Sequence, residues 1–189
     1  MTTTINGLRL ERLDATVAEK LADELADLYR EVYGAQEPQA SNPFYSRERF
    51  LERLAGYQRA PGYTLITARD ASDELVAFLY GYPLPPGSRW WSVLQPQPPA
   101  DFVAEDGTRS FAINDMVVRP DWRRRGVARA LHDEIRAEHP GKRFTLTVRP
   151  DNAPARTAYL SWGYRIVGQQ QPYPDSPLFE TMLLDPLDD

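Results

Sequence analysis

The chain has 189 residues, 42% hydrophobic and 11% aromatic, a make-up that suits one well-cored globular domain and excludes a disordered chain. It has no cysteine, which rules out disulfides, thiolate metal sites and cysteine nucleophiles. Its net charge is −5, its apolar runs fall far short of a membrane span, and Met1–Asn6 lacks the basic-then-apolar pattern of a signal peptide. A soluble cytoplasmic protein with no membrane segment is expected, as a single domain over residues 5–187.

In chain order, Leu8 to Leu13 alternates apolar and polar residues, as a half-buried first strand does. Asp14-Ala15-Thr16 reads as a helix start. Val17, Leu21, Leu25, Leu28 and Val32 then recur at three- and four-residue steps, predicting one amphipathic helix that Gly34 ends. A polar loop follows, and then a short helix with Ser46 as cap and Phe50, Leu51 and Leu54 on one face. Tyr63–Ala68 and Leu75–Tyr82 read as two strands of a hairpin.

Residues 83–109 are the least regular part, with six prolines, Trp90-Trp91 and Phe102. A loop of this length inside a compact domain is unusual and often functional; some strand is expected near Trp90–Leu94. Regularity returns with a buried-looking strand, Phe111–Val118. A helix from about Gly126 to Glu138 follows, then a strand Phe144–Val148 and a helix Ala153–Trp162. Two last strands are predicted at Tyr164–Gly168 and Leu178–Leu184. His132 and His139, the only histidines, lie on the helix after the Arg123–Ala128 loop or at its end and are expected to be solvated there.

The strand–loop–helix around Arg123-x-x-Gly126-x-Ala128 carries the most chemistry. Residues 119–165 hold ten Arg and one Lys against five acids, a local +6, and the remainder carries −11. That segregation points to a local anionic ligand rather than a nucleic-acid track. The first N–H groups of a helix and its dipole favour an anion, and Gly126 and Ala128 leave the backbone open to one. Arg123, Arg124, Arg125 and Arg129 add charge-assisted donors. Neither the mononucleotide P-loop pattern nor a multi-glycine dinucleotide fingerprint is present.

The run Val117 to Leu131, with Arg123-Arg124-Arg125-Gly126-Val127-Ala128 at its centre, resembles motif A of the GCN5-related N-acetyltransferase (GNAT) superfamily. A second block, Asn152-x-x-Ala155-x-x-x-Tyr159 followed by Trp162-Gly163-Tyr164, is similar to that family's Asn…Ala…Tyr…Gly-Phe block. The resemblance spans roughly Phe111 to Tyr164.

It implies a mixed α/β fold, with a mostly antiparallel twisted sheet, one splayed parallel strand pair and flanking helices. It also implies a transferase, an acyl-CoA-dependent N-acyltransferase that uses acetyl-CoA as co-substrate and no metal. Met116, Val117 and Val118 would line the pantetheine arm, and Arg123 to Arg129 (with Val127 and Ala128) the pyrophosphate. Asn152 and Ala155 would meet the pantetheine region, and Tyr159 would protonate the departing thiolate.

Acyl transfer to an amine needs the amine uncharged and held within reach of the acyl carbonyl. Asp115, a carboxylate in an otherwise apolar strand, is the candidate base. Asn114 beside it is at or next to the family's usual base position and, as an amide, takes no proton, which leaves a water relay open. Tyr33, Tyr45, Trp91 and Asn114 are candidates for the acceptor pocket. The acceptor expected is a small-molecule primary amine, and the acidic surplus outside the basic segment favours a cationic one. A protein N-terminal or lysine acetyltransferase and a non-catalytic acyl-CoA sensor are the alternatives. A monomer or homodimer without nucleic-acid partners is expected.

Overall fold

The computed structural model describes residues 2–5, 7–35 and 37–186. The chain forms two compact units, Met1–Tyr82 with Asn114–Glu138, and Pro83–Ile113 with His139–Asp189. The division falls near the end of one strand (Tyr82/Pro83), inside another (Ile113/Asn114) and after the helix that ends at Glu138.

The first unit opens with a meander. Strand β1 (Thr2–Ile5) pairs antiparallel with β2 (Leu8–Leu13), Ile5 opposite Leu8. Gly7 in the turn has φ 78°, a conformation that costs glycine nothing. Beyond a helical pair, β2 pairs antiparallel with β3 (Thr64–Arg69), and β3 with β4 (Leu75–Pro83). Strand β5 (Ser110–Val118) neighbours β4 in hydrogen-bonding order. Every residue of β4 from Leu75 to Gly81 is buried, so this strand is core throughout.

The helical pair departs from the sequence expectation. Instead of one helix there are two, α1 (Ala15–Lys20) and α2 (Ala22–Tyr33), separated at Leu21, whose φ −96° and ψ 1° leave the helical region. The break changes the phase of the apolar stripe. Val17, expected to face inward, is 37% exposed, while Ala18 next to it is fully buried with Leu25, Ala26, Leu28 and Tyr29 further on. Ser46 caps α3 (Arg47–Tyr57) as expected, its Oγ accepting from the Arg49 N–H at 3.1 Å. The inward face of α3 is Phe50, Arg53 and Leu54.

In the second unit the 83–109 segment carries one short helix, α4 (Ala100–Val103), and turns where a strand was expected near Trp90–Leu94. With few backbone partners of its own, it takes side-chain donors. The Arg109 guanidinium reaches the carbonyls of Asp101 at 2.6 Å and Ala104 at 2.7 Å, and Lys142 Nζ those of Gly107 and Thr108. Trp90 donates its indole N–H to Thr145 Oγ1 at 3.1 Å. This is how an irregular segment satisfies polar groups that no ladder pairs.

The N-terminal half of β5 pairs in parallel with β6 (Arg143–Val148), Ser110 to Ala112 opposite Arg143 to Thr145. Strand β6 also pairs antiparallel with β8 (Phe179–Leu184), and β8 with β7 (Arg165–Gln170). Helix α6 (Ala153–Ser161) lies between β6 and β7 in the chain. The fold class is therefore the expected mixed α/β type, mostly antiparallel with one parallel pair, β5–β6. No helix among the described residues is long and apolar enough to cross a membrane.

Candidate active site

The phosphate-type loop belongs to the first unit. After β5 the chain makes a single turn at Pro120–Trp122 and starts α5 (Val127–Glu138). Within the loop Arg124 has φ 60° and Gly126 φ 78°. Arg123 before them is extended, with φ −68° and ψ 157°. Where left-handed residues alternate with right-handed ones, successive N–H groups turn toward a common side, a concavity suited to an anion. The first N–H groups of α5 have no acceptor within the helix and extend this concavity. A non-glycine residue in the left-handed region costs about 1–2 kcal/mol, so Arg124 marks the loop as a place where shape outweighs local preference.

The arginine side chains are arranged differently from the simple expectation. Arg123 Nε donates to the Val118 carbonyl at 3.1 Å, Arg125 lies 5.1 Å from the Trp122 ring, and Arg129 pairs with Asp133 at 2.8 Å. Two of the four guanidiniums thus hold the loop to its own flank, and Arg129 is paired along its own helix. Val127 is buried and anchors the helix start. Met116 and Val118 are half-buried in β5, and Val117 is buried.

Asp115 lies on the same strand and is the centre of a polar cluster. The Tyr80 hydroxyl from β4 donates to its carboxylate. Arg53 from α3 is 5% exposed, its guanidinium 4.0 Å from the Phe44 ring and donating to the Phe44 carbonyl at 2.8 Å and to Tyr29 Oη at 3.1 Å. Tyrosine rings continue outward. Tyr33 contacts Tyr29 at 4.6 Å and Tyr45 at 5.1 Å, and Tyr57 lies 6.1 Å from Tyr80. Of the expected pocket residues, Tyr33 is half-buried and Tyr45 is buried.

Burial pushes the Asp115 carboxyl up to about 6, against the pull of the Arg53 charge and the Tyr80 hydrogen bond. Desolvation, reinforced by Asp115 nearby, likewise pushes Tyr80 and Tyr29 well above the ordinary phenol range. Asn114 Oδ1 is buried and meets no donor among the described residues. A buried carbonyl of this kind is costly unless something donates to it.

The second unit holds the other block. Asn152 caps α6, its Oδ1 accepting from the Ala155 N–H at 3.3 Å. Tyr159 is half-buried on α6, with ring centroids 5.5 Å from Trp162 and 5.8 Å from Tyr164. Trp91, by contrast, is a core residue. It is 1% exposed, gives its indole N–H to Glu105 at 2.8 Å and packs edge-on against Phe102. The histidines also differ from expectation. His132 is 1% exposed, and burial pushes its pKa down to about 4, so it is neutral. His139 is half-buried and stacks on Phe111 at 4.5 Å.

The model of the acetyltransferase (GNAT) family matches residues 19–164. The chain belongs to that family. Among solved structures, the GNAT fold of this chain is similar to PH1933 from Pyrococcus horikoshii OT3 (18% identity, TM-score 0.65, 94% of this chain and 98% of that one). It is also similar to the PaiA N-acetyltransferase from Thermoplasma acidophilum in complex with coenzyme A (13% identity, TM-score 0.55, 94% and 98%). A third is aminoglycoside 6'-acetyltransferase type Ii (18% identity, TM-score 0.60, 93% and 96%). At these identities the likeness is one of fold. No curated protein sequence matches this one.

Sequence reasoning overlooked Arg53, Tyr80 and Tyr57. Arg53 did leave a signal: it stands three residues after Phe50 and one before Leu54, on the apolar face of its helix.

Proposed function

We propose that this GNAT chain is a single domain over residues 5–187 that transfers an acetyl group from acetyl-CoA to the primary amine of a small molecule, by direct attack, in the cytoplasm. The observation that carries the reading is the pairing of a loop with left-handed Arg124 and Gly126 at a helix start with a half-buried, hydrogen-bonded carboxylate, Asp115, on the preceding strand. The loop fits a pyrophosphate in backbone shape and charge. The amides from Arg124 to Arg129 would hold it, with Met116, Val117 and Val118 along the pantetheine arm and Asn152 and Ala155 at the second block.

Bound acetyl-CoA supplies a thioester carbonyl as acyl donor. Asp115 takes the proton that the amine must lose, directly or through water, as the amine nitrogen forms its bond to the acyl carbon. Tyr159 gives its phenolic proton to the sulfur as the carbon–sulfur bond breaks. Asn114 Oδ1 accepts an N–H from the amine and orients its lone pair. A carboxyl titrating near 6 is largely ionised at neutral pH and close enough to it to exchange protons readily. The phenols of Tyr33 and Tyr45 offer ring faces to a cationic amine before it is deprotonated.

Thermal shift with coenzyme A, followed by free-thiol release with acetyl-CoA and a panel of amines, tests the reading. Stabilisation by coenzyme A and thiol release with small amines are expected. Absence of coenzyme A binding overturns the reading, and binding without turnover of any amine overturns the transferase assignment.

A further inference from the structure

The buried guanidinium of Arg53 has no role in the donor half of the site, and its cost needs an account. A lone cation withdrawn from water is strongly unfavourable unless an anion answers it. Its two fixed contacts are to neutral oxygens, the Phe44 carbonyl at 2.8 Å and Tyr29 Oη at 3.1 Å. These contacts, with the Phe44 ring 4.0 Å from the guanidinium carbon, hold the charge in one place without neutralising it. Asp115 on β5 is the anion of the same cluster: Tyr29, which accepts from Arg53, stacks on Phe50 at 4.2 Å, Phe50 lies 6.4 Å from Tyr80, and Tyr80 donates to Asp115.

We propose that Arg53, together with Tyr80, is a positioning residue that keeps the Asp115 carboxylate ionised and aimed for removal of the acceptor's proton. This rests on the reading of Asp115 as the proton acceptor.

Four titratable groups of the first unit interact electrostatically with the carboxylate, each from a different segment. Arg53 comes from α3, Tyr80 from β4, Tyr29 from α2, and Tyr63 from the turn before β3. Arg53 is the one cation among these four; the three phenols are neutral. Tyr80 supplies the direct hydrogen bond and fixes the carboxylate's orientation. Arg53 supplies the field, which is strong because the surrounding rings of Tyr29, Phe44, Phe50 and Tyr80 exclude water. Desolvation pushes the carboxyl toward its neutral form, and the two groups oppose that change. A guanidinium suits the task better than an ammonium, since it stays charged when buried.

The test needs no knowledge of the acceptor. The full chain labelled with ¹³C at the aspartate carboxyl carbons is titrated by NMR, with the Asp115 resonance assigned by its loss in Asp115→Asn. In the wild type this resonance titrates near pH 6. Arg53→Met is expected to raise its midpoint by about one pH unit or more, Tyr80→Phe by less, and Arg53→Lys least. Tyr80→Phe keeps the buried ring, and Arg53→Lys keeps the charge, so the comparison stands even where Arg53→Met does not fold. An unchanged midpoint in Tyr80→Phe, or in Arg53→Met (Arg53→Gln where Arg53→Met does not fold), overturns the proposal. A second arm, acetyl transfer to tyramine and to spermidine followed by thiol release, judges the proton-acceptor reading separately. The low-pH limb of kcat/KM is expected to move with the NMR midpoint. An NMR shift with no change in that limb removes Asp115 from the chemistry, and with it the catalytic purpose assigned to Arg53.

Discussion

Arg143 and Glu105 form an ion pair at 2.8 Å with both side chains almost wholly buried, and the same glutamate oxygen also accepts from the Trp91 indole and the Ser110 hydroxyl. Arg143 lies between the rings of Trp91 at 5.3 Å and Phe102 at 5.0 Å. The cluster fastens the proline-rich 83–109 segment to the start of the parallel pair. Removing one partner strands the other charge in a dry site. Arg143→Met is therefore expected to destabilise the protein by about 3–5 kcal/mol. Urea unfolding checks this; a loss below about 1 kcal/mol would mean that the pair is solvated in solution.

Asp115→Asn should lower kcat/KM about a hundredfold at pH 7. The sign with pH follows from the raised carboxyl pKa. Wild-type activity needs the ionised form, so it falls as pH drops through about 6, whereas the amide has no such limb. A pH–rate profile of both proteins decides, and parallel profiles would return Asp115 to a structural role.

Tyr159→Phe should slow thiol release about a hundredfold while the dissociation constant for coenzyme A stays within a factor of about three. The ring contacts with Trp162 and Tyr164 survive the change, which confines its effect to the proton. Unchanged turnover would exclude Tyr159 as the acid.

The donor loop separates backbone shape from side-chain charge. Gly126→Val forces a branched residue into φ 78°, at a cost of about 1–2 kcal/mol, and should weaken coenzyme A binding about tenfold. Arg124→Gly removes a charge but relieves strain at φ 60°, and is expected to weaken binding less than Gly126→Val. Calorimetric titration with coenzyme A gives the order, and the reverse order would mean that the guanidinium outweighs the backbone.

Where periodicity and local chemistry agree, the sequence was an adequate guide. The Ser46 cap, the hairpin of β3 and β4, and the strand–loop–helix from β5 to α5 all lie where apolar spacing and turn residues put them. The failures have a common cause, which is tertiary context. Leu21 continues the apolar steps yet breaks the helix, so Val17 and Ala18 exchange roles. His132 and Arg53 are polar by type, but each sits beside an inward residue, Leu131 and Leu54, and is carried into the interior with it. The partners that make burial tolerable, such as the Phe44 carbonyl for Arg53, are distant in local pattern and become visible only on folding. Trp91 was expected in the pocket because its loop is long, irregular and aromatic; the donors that fasten that loop lie mostly on Arg109, Lys142 and Arg143.

The contact between Trp122 and Arg125 has an optical consequence. The chain has four tryptophans, and this indole stands directly in the donor loop, half-buried beside a guanidinium. An anion drawing on Arg125 alters the charge over the ring, and indole emission responds to such a field. The loop thereby carries its own fluorescent reporter, and selective replacement of Trp122 by phenylalanine would isolate its signal without any label attached to the protein.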